Sequence, residues 1–278
     1  MIKLFHDTSH QCSKITTELY STSFSSSIRM LHADLHQPIY DVYGFVRFAD
    51  EIVDTFHNYN KELLLEEYVR ETHLAIQRKI SLNPILNSFQ LTVNKYNIDH
   101  ALIDAFFKSM KMDLDKSNYD ASSYNEYIYG SAEVVGLMCL FIFCDGDKET
   151  YEKLKPYAQS LGAAFQKINF LRDVKADHQD LNRTYFPDVN FTNFTQADKD
   201  NIEKDIAADF KNAHTGILML PAKAKFGVYL AYKYYITLFN KIKTAEPNIL
   251  LQERVRVTNS HKALILLKAR LRSSFNSI

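Results

Sequence analysis

The chain has 278 residues, and its 33 Lys and Arg residues balance its 33 Asp and Glu residues, so the formal net charge at pH 7 is zero. This balance argues against a strongly basic nucleic-acid binder and against an acidic tail protein. Hydrophobic residues make up 46% of the chain and charged residues 24%, which excludes global disorder and predicts a folded core.

Turn-forming residues are scarce. The chain has seven Gly and six Pro, roughly 5% of its residues against about 12% in average proteins. β-Sandwiches, β-barrels and glycine-loop nucleotide folds need many tight turns, whereas long helices joined by short loops need few. The sequence therefore predicts an all-α fold. No repeat, low-complexity tract or flexible linker interrupts it, so we expect a single domain over residues 1–278.

Apolar residues recur at helical spacing along most of the chain. Pro38 is placed at a helix start, where its missing N–H costs no hydrogen bond. The polar stretch 177–195 lacks the periodicity and holds Pro187, so we expect the longest irregular loop there, and long loops often carry function. The periodicity predicts helices near residues 9–31, 38–58, 60–80, 84–95, 98–112, 123–144, 147–176, 197–213, 219–244 and 250–273.

The three cysteines, Cys12, Cys139 and Cys144, form no CxxC pair and no zinc-ligand spacing. They are predicted to be free thiols in a reducing compartment. The N-terminal residues contain no apolar signal-peptide region. The most apolar run, 134–143, is shorter than the ~20 residues of a membrane span. We therefore expect a cytoplasmic protein.

The predicted helix 38–58 carries a polar stripe on an otherwise apolar surface. Asp50 and Asp54 are four residues apart, and Arg47 and Tyr43 continue the same face. Most of the remaining circumference is apolar, which is typical of a buried helix. Because buried carboxylates need partners, we expect this stripe to face a cavity lined by protein.

A second polar stripe combines Gln166, Asn169, Asp173 and Asp177 on one helix face. Four converging carboxylates would repel one another and raise each other's pKa. Divalent cations remove that repulsion, and all-oxygen ligands favour Mg²⁺ or Ca²⁺. The two stripes therefore predict a Mg²⁺ site that binds a diphosphate, in which the metal neutralises a leaving pyrophosphate. The alternative is a pair of solvated helix faces.

Five segments of the chain resemble motifs of the squalene/phytoene synthase family. The resemblance covers roughly residues 12–260, with the motifs in the family's order and spacing. The segments are SFSSSIRML (23–31) for the serine-rich first segment, YGFVRFADEIVD (43–54) and QKINFLRDVKAD (166–177) for the two aspartate-rich motifs, EYIYGSAEVVGLM (126–138) for the tyrosine-rich helix, and NRTYFP (182–187) for the Arg-x-Tyr-x-Pro segment. Glu51 stands where the family often has a further aspartate.

The resemblance implies an all-α isoprenoid synthase fold, a single-domain helical bundle with a central cavity. It also implies head-to-head (1′–1) condensation of two prenyl diphosphates through a cyclopropyl diphosphate. A closed, aromatic-lined cavity suits this chemistry, because water would quench the carbocation and aromatic faces stabilise cations.

By motif match, the resemblance assigns a role to fourteen residues. The Mg²⁺ ligands would be Asp50, Asp54, Asn169, Asp173 and Asp177. Tyr127 would lie near the reacting carbons. Residues expected to contact the diphosphates are Ser21, Tyr43, Arg47, Gln166, Arg183, Tyr185, Tyr235 and Arg254, with Arg183 and Tyr185 on a flap that closes over them.

The resemblance favours two geranylgeranyl diphosphates as substrates and phytoene as product, in carotenoid biosynthesis. The alternative is two farnesyl diphosphates, which would give dehydrosqualene or, with NADPH, squalene. Mg²⁺ is the expected cofactor, and Mn²⁺ could replace it. A prenyl diphosphate synthase would supply the substrate and a desaturase would consume the product. An alternative from another class is a non-catalytic helical assembly factor, although all four motif aspartates are present.

The last predicted helix combines basic residues with a run of apolar ones. A solvated basic face is the ordinary interpretation, and docking on a membrane surface is the alternative. The residues concerned are Lys262, Lys268, Arg270 and Arg272, with Leu264, Ile265, Leu266 and Leu267.

Overall fold

The computed structural model describes residues 1–115, 118–175 and 184–274, and within these ranges the chain is helical without a β-strand. The predicted all-α fold is therefore confirmed. The helices are α1 (Ile2–Tyr20), α2 (Thr22–Ile28), α3 (Ala33–Asp54), α4 (Lys61–Arg78), α5 (Pro84–Tyr96), α6 (His100–Asp115), α7 (Ala121–Ile128), α8 (Val134–Cys144), α9 (Lys148–Lys175), α10 (Gln196–Met219), α11 (Ala222–Thr244), α12 (Pro247–Gln252) and α13 (Asn259–Ser274).

Helix starts follow local chemistry. The Asn60 side chain accepts a hydrogen bond from the Leu63 amide and caps α4. Asp120 caps α7 and forms a capping box with Ser123. A second capping box joins Thr195 to Asp198 at the start of α10. Each cap satisfies backbone N–H groups that have no partner within the helix.

Three helix predictions need correction. The predicted helix 9–31 is two helices, because Ser21 adopts an extended conformation and its side chain caps α2. Helix α3 begins at Ala33, so Pro38 lies inside it rather than at its start. The predicted helix 250–273 is divided into α12 and α13 by the non-helical residues that follow Glu253.

Helix α3 lies at the centre of the fold and contacts α1, α4, α5, α6 and α8. Phe45 is fully buried on it and stacks on Phe89 of α5, with ring centroids 3.8 Å apart. Helix α9 occupies the corresponding place in the second half, against α8, α10, α11 and α12. The two helices that carry the acidic stripes are thus each fixed by packing on several neighbours.

A π-helical segment, Tyr129–Glu133, connects α7 to α8 without interrupting the helical path. The continuous segment Ala121–Cys144 is consequently long and apolar enough to cross a membrane, by length and composition alone, which corrects the estimate made from residues 134–143. Half of its most apolar window is buried inside the fold. Val134, Leu137 and Met138 are fully buried, so the segment packs as a core helix.

The three cysteines are free thiols, as predicted. Burial raises the pKa of Cys139 to about 12 and that of Cys144 to about 11. Both groups are therefore protonated and unreactive at neutral pH.

Candidate active site

A cavity of about 710 Å³ lies between α2, α3, α8, α9 and α11. Its walls bring together twelve of the fourteen residues singled out from the sequence; the other two, Asp177 and Arg183, lie outside the described residues. The twelve are Ser21, Tyr43, Arg47, Asp50, Asp54, Tyr127, Gln166, Asn169, Asp173, Tyr185, Tyr235 and Arg254.

Helix α3 presents its acidic stripe to this cavity because its opposite faces are packed. Ala49 and Val53 are buried beside the two aspartates and fix the rotation of the helix. Burial, together with the neighbouring Asp54 carboxylate, raises the pKa of Asp50 to about 8, although Arg47 acts in the opposite direction. Without a cation, the Asp50 carboxyl therefore keeps its proton at neutral pH.

Arg47 lies one turn before Asp50. Its guanidinium pairs with Glu51 and lies over the Tyr20 ring, 4.4 Å from the ring centroid. Among the described residues, no group accepts a hydrogen bond from its buried Nε. A buried donor of this kind is costly unless it finds an acceptor, and a phosphate oxygen in the cavity would supply one.

Helix α9 contributes a carboxylate in a different environment. Asp173 is held by two guanidinium groups: its Oδ1 lies 3.0 Å from Nε of Arg172 and 2.7 Å from Nε of Arg254. One turn earlier, Asn169 Oδ1 accepts a hydrogen bond from the Tyr235 hydroxyl at 3.3 Å. These contacts join α9, α11 and the segment after α12 at one end of the cavity.

The remaining wall is mostly apolar and aromatic. Tyr235 stacks on Phe165 with centroids 3.8 Å apart, and Phe24 packs against both rings. The cavity thus has a polar end and a hydrocarbon-like remainder. The apolar lining includes Ile28, Leu31, Ile39, Val42, Val46, Met110, Val135, Leu140, Phe143, Leu154, Leu161, Ile217, Leu220 and Val228.

Sequence reasoning missed Asp113, a buried carboxylate that also lines the cavity. It accepts hydrogen bonds from the hydroxyl groups of Tyr127 at 2.7 Å, Tyr185 at 3.2 Å and Tyr119 at 3.4 Å. A signal was available in the sequence: Phe106, Met110 and Asp113 continue one helix face at spacings of four and three. The predicted helix ended one residue too early to include it.

Tyr185 differs from the expectation of a flap residue. It is buried, and its ring stacks on Phe170 with centroids 4.1 Å apart. Its hydroxyl group is bound to Asp113. In this structure Tyr185 is therefore part of the cavity wall.

The π-helical segment shapes the same wall through a close contact with a neighbouring helix. A Cβ atom on Gly130 would lie 2.4 Å from the Ala105 carbonyl oxygen, so only glycine allows the π-helical segment to approach α6 this closely. The next residue, Ser131, lines the cavity, and its buried hydroxyl has no partner among the described residues. Short π-helical segments within α-helices are frequent at functional sites. Nothing in the sequence pattern indicates this one.

The donor set fits a hard divalent cation. Asp50, Asp54, Asn169 and Asp173 offer only oxygen ligands to the cavity, which suits Mg²⁺. A cation beside Asp50 would also replace the proton that burial retains there. Among the described residues, no three His, Cys, Asp or Glu side chains are already grouped closely enough to hold a metal by themselves. Mg²⁺ commonly uses one or two carboxylates and completes its shell with substrate phosphates and water.

A helical fold around a cavity with an acidic and basic end and an apolar remainder is the architecture of the isoprenoid synthase class. The family model described as squalene/phytoene synthase matches residues 17–261. The chain belongs to this family, whose members are prenyltransferase-type enzymes.

Relatives with curated names carry two kinds of description. The phytoene synthase of Arthrospira platensis is 25% identical over 293 residues, covering 96% of this chain and 94% of that protein. The 4,4'-diapophytoene synthase of Staphylococcus haemolyticus is 25% identical over 198 residues, covering 68% of this chain and 66% of that protein.

Solved structures share the fold. A dehydrosqualene synthase in complex with ligand superimposes with a TM-score of 0.83 at 20% identity and covers 98% of both chains. The squalene synthase HpnC from Alicyclobacillus acidocaldarius gives a TM-score of 0.74 at 19% identity, covering 86% of this chain and 94% of that chain.

Proposed function

We propose that the protein joins two prenyl diphosphates head to head, through a cyclopropyl diphosphate, in isoprenoid biosynthesis. The observation that carries this proposal is that the carboxylates of α3 and α9, with Arg47 and Arg254, adjoin a long apolar wall within one cavity. The polar end suits two diphosphate groups and their cations. The apolar remainder suits two hydrocarbon tails.

Asp50, Asp54, Asp173 and, by motif match, Asp177 would hold Mg²⁺, with Asn169 as a further oxygen ligand. When bound, Mg²⁺ neutralises the pyrophosphate that leaves with the electron pair of the broken C–O bond. Mn²⁺ could take the same place.

Side chains of the polar end would orient the two diphosphates. Arg47 has a buried Nε–H to donate to a phosphate oxygen. Arg254 is half-exposed at the cavity end and could move from Asp173 to a phosphate group. Ser21, Tyr43, Gln166 and Tyr235 add further polar groups along the same wall.

The apolar wall protects the cation that forms when the C–O bond breaks. Exclusion of water prevents quenching, and the rings of Phe24, Phe165, Phe170 and Tyr235 offer π faces worth ~0.5–2 kcal/mol each. Tyr127 lies in this wall and is the proposed residue beside the reacting carbons. Burial raises its pKa well above the usual value, so it acts as a neutral phenol.

We propose geranylgeranyl diphosphate as the substrate and phytoene as the product, made in the cytoplasm between a prenyl diphosphate synthase and a desaturase. Farnesyl diphosphate is the second candidate, because the relatives include proteins named 4,4'-diapophytoene synthase and dehydrosqualene synthase. That substrate would give dehydrosqualene, or squalene if NADPH also binds.

The test is product analysis with purified protein, Mg²⁺ and either prenyl diphosphate, with and without NADPH. A C40 hydrocarbon from the longer substrate alone supports phytoene synthesis. A C30 hydrocarbon moves the assignment to the shorter substrate, and its dependence on NADPH separates squalene from dehydrosqualene. No product from protein that binds Mg²⁺ with pyrophosphate would indicate another prenyl substrate. No binding of either would favour the non-catalytic assembly factor.

We also propose that α13 docks on an anionic membrane surface. Residues 254–278 contain six Lys and Arg and no Asp or Glu, although the whole chain is neutral. Leu264, Leu267 and Leu271 are exposed along one stripe, while Ile265 and Ala269 are buried against the core. An exposed apolar stripe with flanking cations is typical of helices that lie in the membrane interface.

Vesicle flotation tests this surface. The protein should float with vesicles that contain phosphatidylserine and not with neutral ones, and Leu267→Ser with Leu271→Ser should abolish binding. Leu82→Ser is the matched control, because Leu82 is highly exposed elsewhere on the molecule. Equal binding of all variants, or none by the unmodified protein, would contradict the proposal.

A further inference from the structure

Asp113 brings together three tyrosine hydroxyls from separate parts of the chain. Tyr119 precedes α7, Tyr127 lies on α7, and Tyr185 follows the second aspartate-rich motif. The three rings contact one another, with centroids 5.1–5.2 Å apart. Asp113 is only 6% exposed. The cluster is therefore a rigid, buried part of the wall.

The chemistry of the cluster sets the direction of each hydroxyl proton. A carboxylate accepts hydrogen bonds and does not donate them. Each tyrosine has a single hydroxyl proton, and here that proton is directed at Asp113. In Tyr127, the oxygen lone pairs do not take part in this bond. Tyr127 and Tyr185 both line the cavity.

We infer that Asp113 is a positioning residue for catalysis. It holds the Tyr127 hydroxyl so that the oxygen lone pairs, rather than the proton, are available to the carbocation formed in the cavity. Prearranged dipoles of this kind stabilise developing charge without reorganisation during the reaction. This inference rests on the proposed function, because it requires a cationic intermediate.

Another buried aspartate provides a matched comparison. Asp41 also accepts hydrogen bonds from three side chains: His10 at 3.1 Å, Gln37 at 2.9 Å and Thr92 at 2.7 Å. Asp41 does not line the cavity described above. Loss of its carboxylate should therefore cost stability without affecting the chemistry of the cavity.

The decisive experiment is a double-mutant cycle of Asp113→Asn with Tyr127→Phe, read as kcat, KM and melting temperature. Asp113→Asn is nearly isosteric, but its amide can donate a hydrogen bond and so lets the hydroxyl protons turn away. We expect kcat to fall by up to about 100-fold with little change in KM. The double variant should lose much less than the product of the two single losses, because Asp113 acts through Tyr127.

Two controls separate positioning from folding. Asp41→Asn should lower the melting temperature, keep kcat near the unmodified value and combine independently with Tyr127→Phe. Stabilisation by Mg²⁺ with pyrophosphate should persist in Asp113→Asn, because Asp113 is not placed on the diphosphates. Asp113→Glu retains an acceptor-only group, so it should keep a higher kcat than Asp113→Asn. If Asp113→Asn fails to fold, Asp113→Glu takes its place in the cycle with Tyr127→Phe.

The outcomes are distinguishable. Independent losses in the Asp113 and Tyr127 cycle, or a loss of melting temperature alone as in Asp41→Asn, would overturn the inference. Equal kcat in the Asn and Glu variants would overturn it too, because the acceptor-only character would then not matter. Absence of any hydrocarbon product from the unmodified protein refutes the proposed function first, and the inference with it.

Discussion

Helices α3 and α9 present similar acidic stripes to one cavity but place them in opposite electrostatic environments. On α3, burial and Asp54 raise the pKa of Asp50 to about 8, and Arg47 is engaged by Glu51. On α9, Asp173 is neutralised by Arg172 and Arg254. The arginine of the α3 stripe is therefore paired with Glu51, whereas the arginines near α9 pair with the aspartate of the stripe itself.

This difference separates two roles that the motifs do not distinguish. A divalent cation gains most beside Asp50, where it replaces a retained proton. The arginines around Asp173 can exchange their carboxylate partner for a diphosphate oxygen, since guanidinium binds either group. We expect metal binding to depend first on α3 and diphosphate binding first on α9.

The largest expected effect comes from removing a carboxylate on either helix. Asp54→Asn or Asp173→Asn should abolish the joint stabilisation by Mg²⁺ and pyrophosphate, which in the unmodified protein is about 2.7 kcal/mol at a ligand concentration of 100 Kd. Thermal unfolding with each ligand alone and with both measures this. Asp41→Asn serves as the control and should retain the shift. Persistence of binding and turnover in both site variants would disprove the site assignment.

The next effect tests the α9 side alone. Arg254→Ala releases Asp173, so Mg²⁺ should bind at least as well as before, while pyrophosphate affinity should fall about tenfold, which corresponds to ~1.4 kcal/mol. Titration calorimetry separates the two ligands. Arg256→Ala is the matched control, because Arg256 is two residues away and does not line the cavity. A parallel loss of Mg²⁺ and pyrophosphate affinity would mean that the two helices share one role.

The pH dependence tests the α3 side. The folded pKa of Asp50, about 8, exceeds its unfolded value near 3.8, so the folded state binds more protons between these values. The Asp50 contribution to stability is complete below pH 4 and is lost as pH rises through about 8. In the absence of metal, the melting temperature should therefore fall less between pH 5 and pH 8.5 for Asp50→Asn than for the unmodified protein.

The same proton controls metal binding. Below pH 8, a cation at Asp50 must displace one proton, so apparent Mg²⁺ affinity should rise by up to about tenfold per pH unit. Affinity measured by titration from pH 6 to pH 8 checks this slope. A flat profile would show that Asp50 is ionised without metal and would remove the contrast with Asp173.

The smallest expected effect concerns the ion pair within α3. Glu51→Gln weakens the hold on Arg47, a partly exposed pair whose contribution is about 0.2–1 kcal/mol. We expect a change in KM of about two- to fivefold with kcat retained, measured by steady-state kinetics. Glu66→Gln on the exposed face of α4 is the control. A large fall in kcat would show that Glu51 itself takes part in the chemistry.

The helices and the two acidic stripes could be predicted because both depend on spacing along the chain. A period of 3.6 residues places Asp50 with Asp54, and Asn169 with Asp173, whatever the tertiary structure. The surrounding apolar residues likewise indicate that these faces are enclosed. For the same reason most predicted site residues do line one cavity.

Other features depend on contacts between residues far apart in the chain. The Asp113 cluster joins α6 to α7 and to Tyr185, and no periodicity within α6 reveals its partners. The pairing of Arg254 with Asp173 connects positions 81 residues apart. The break at Ser21 arises where a serine that is acceptable within a helix instead caps the next one.

The sequence by itself determined an all-α chain with two inward acidic stripes, because side-chain periodicity and the scarcity of turn formers are local properties. Only the tertiary structure decided which carboxylates retain a proton, which are paired with arginine and which align tyrosine hydroxyls. Those states depend on burial and on the distances between charges, which packing sets. Asp50, Asp173 and Asp113 are the same residue type with three environments, and their neighbours in the fold make the difference.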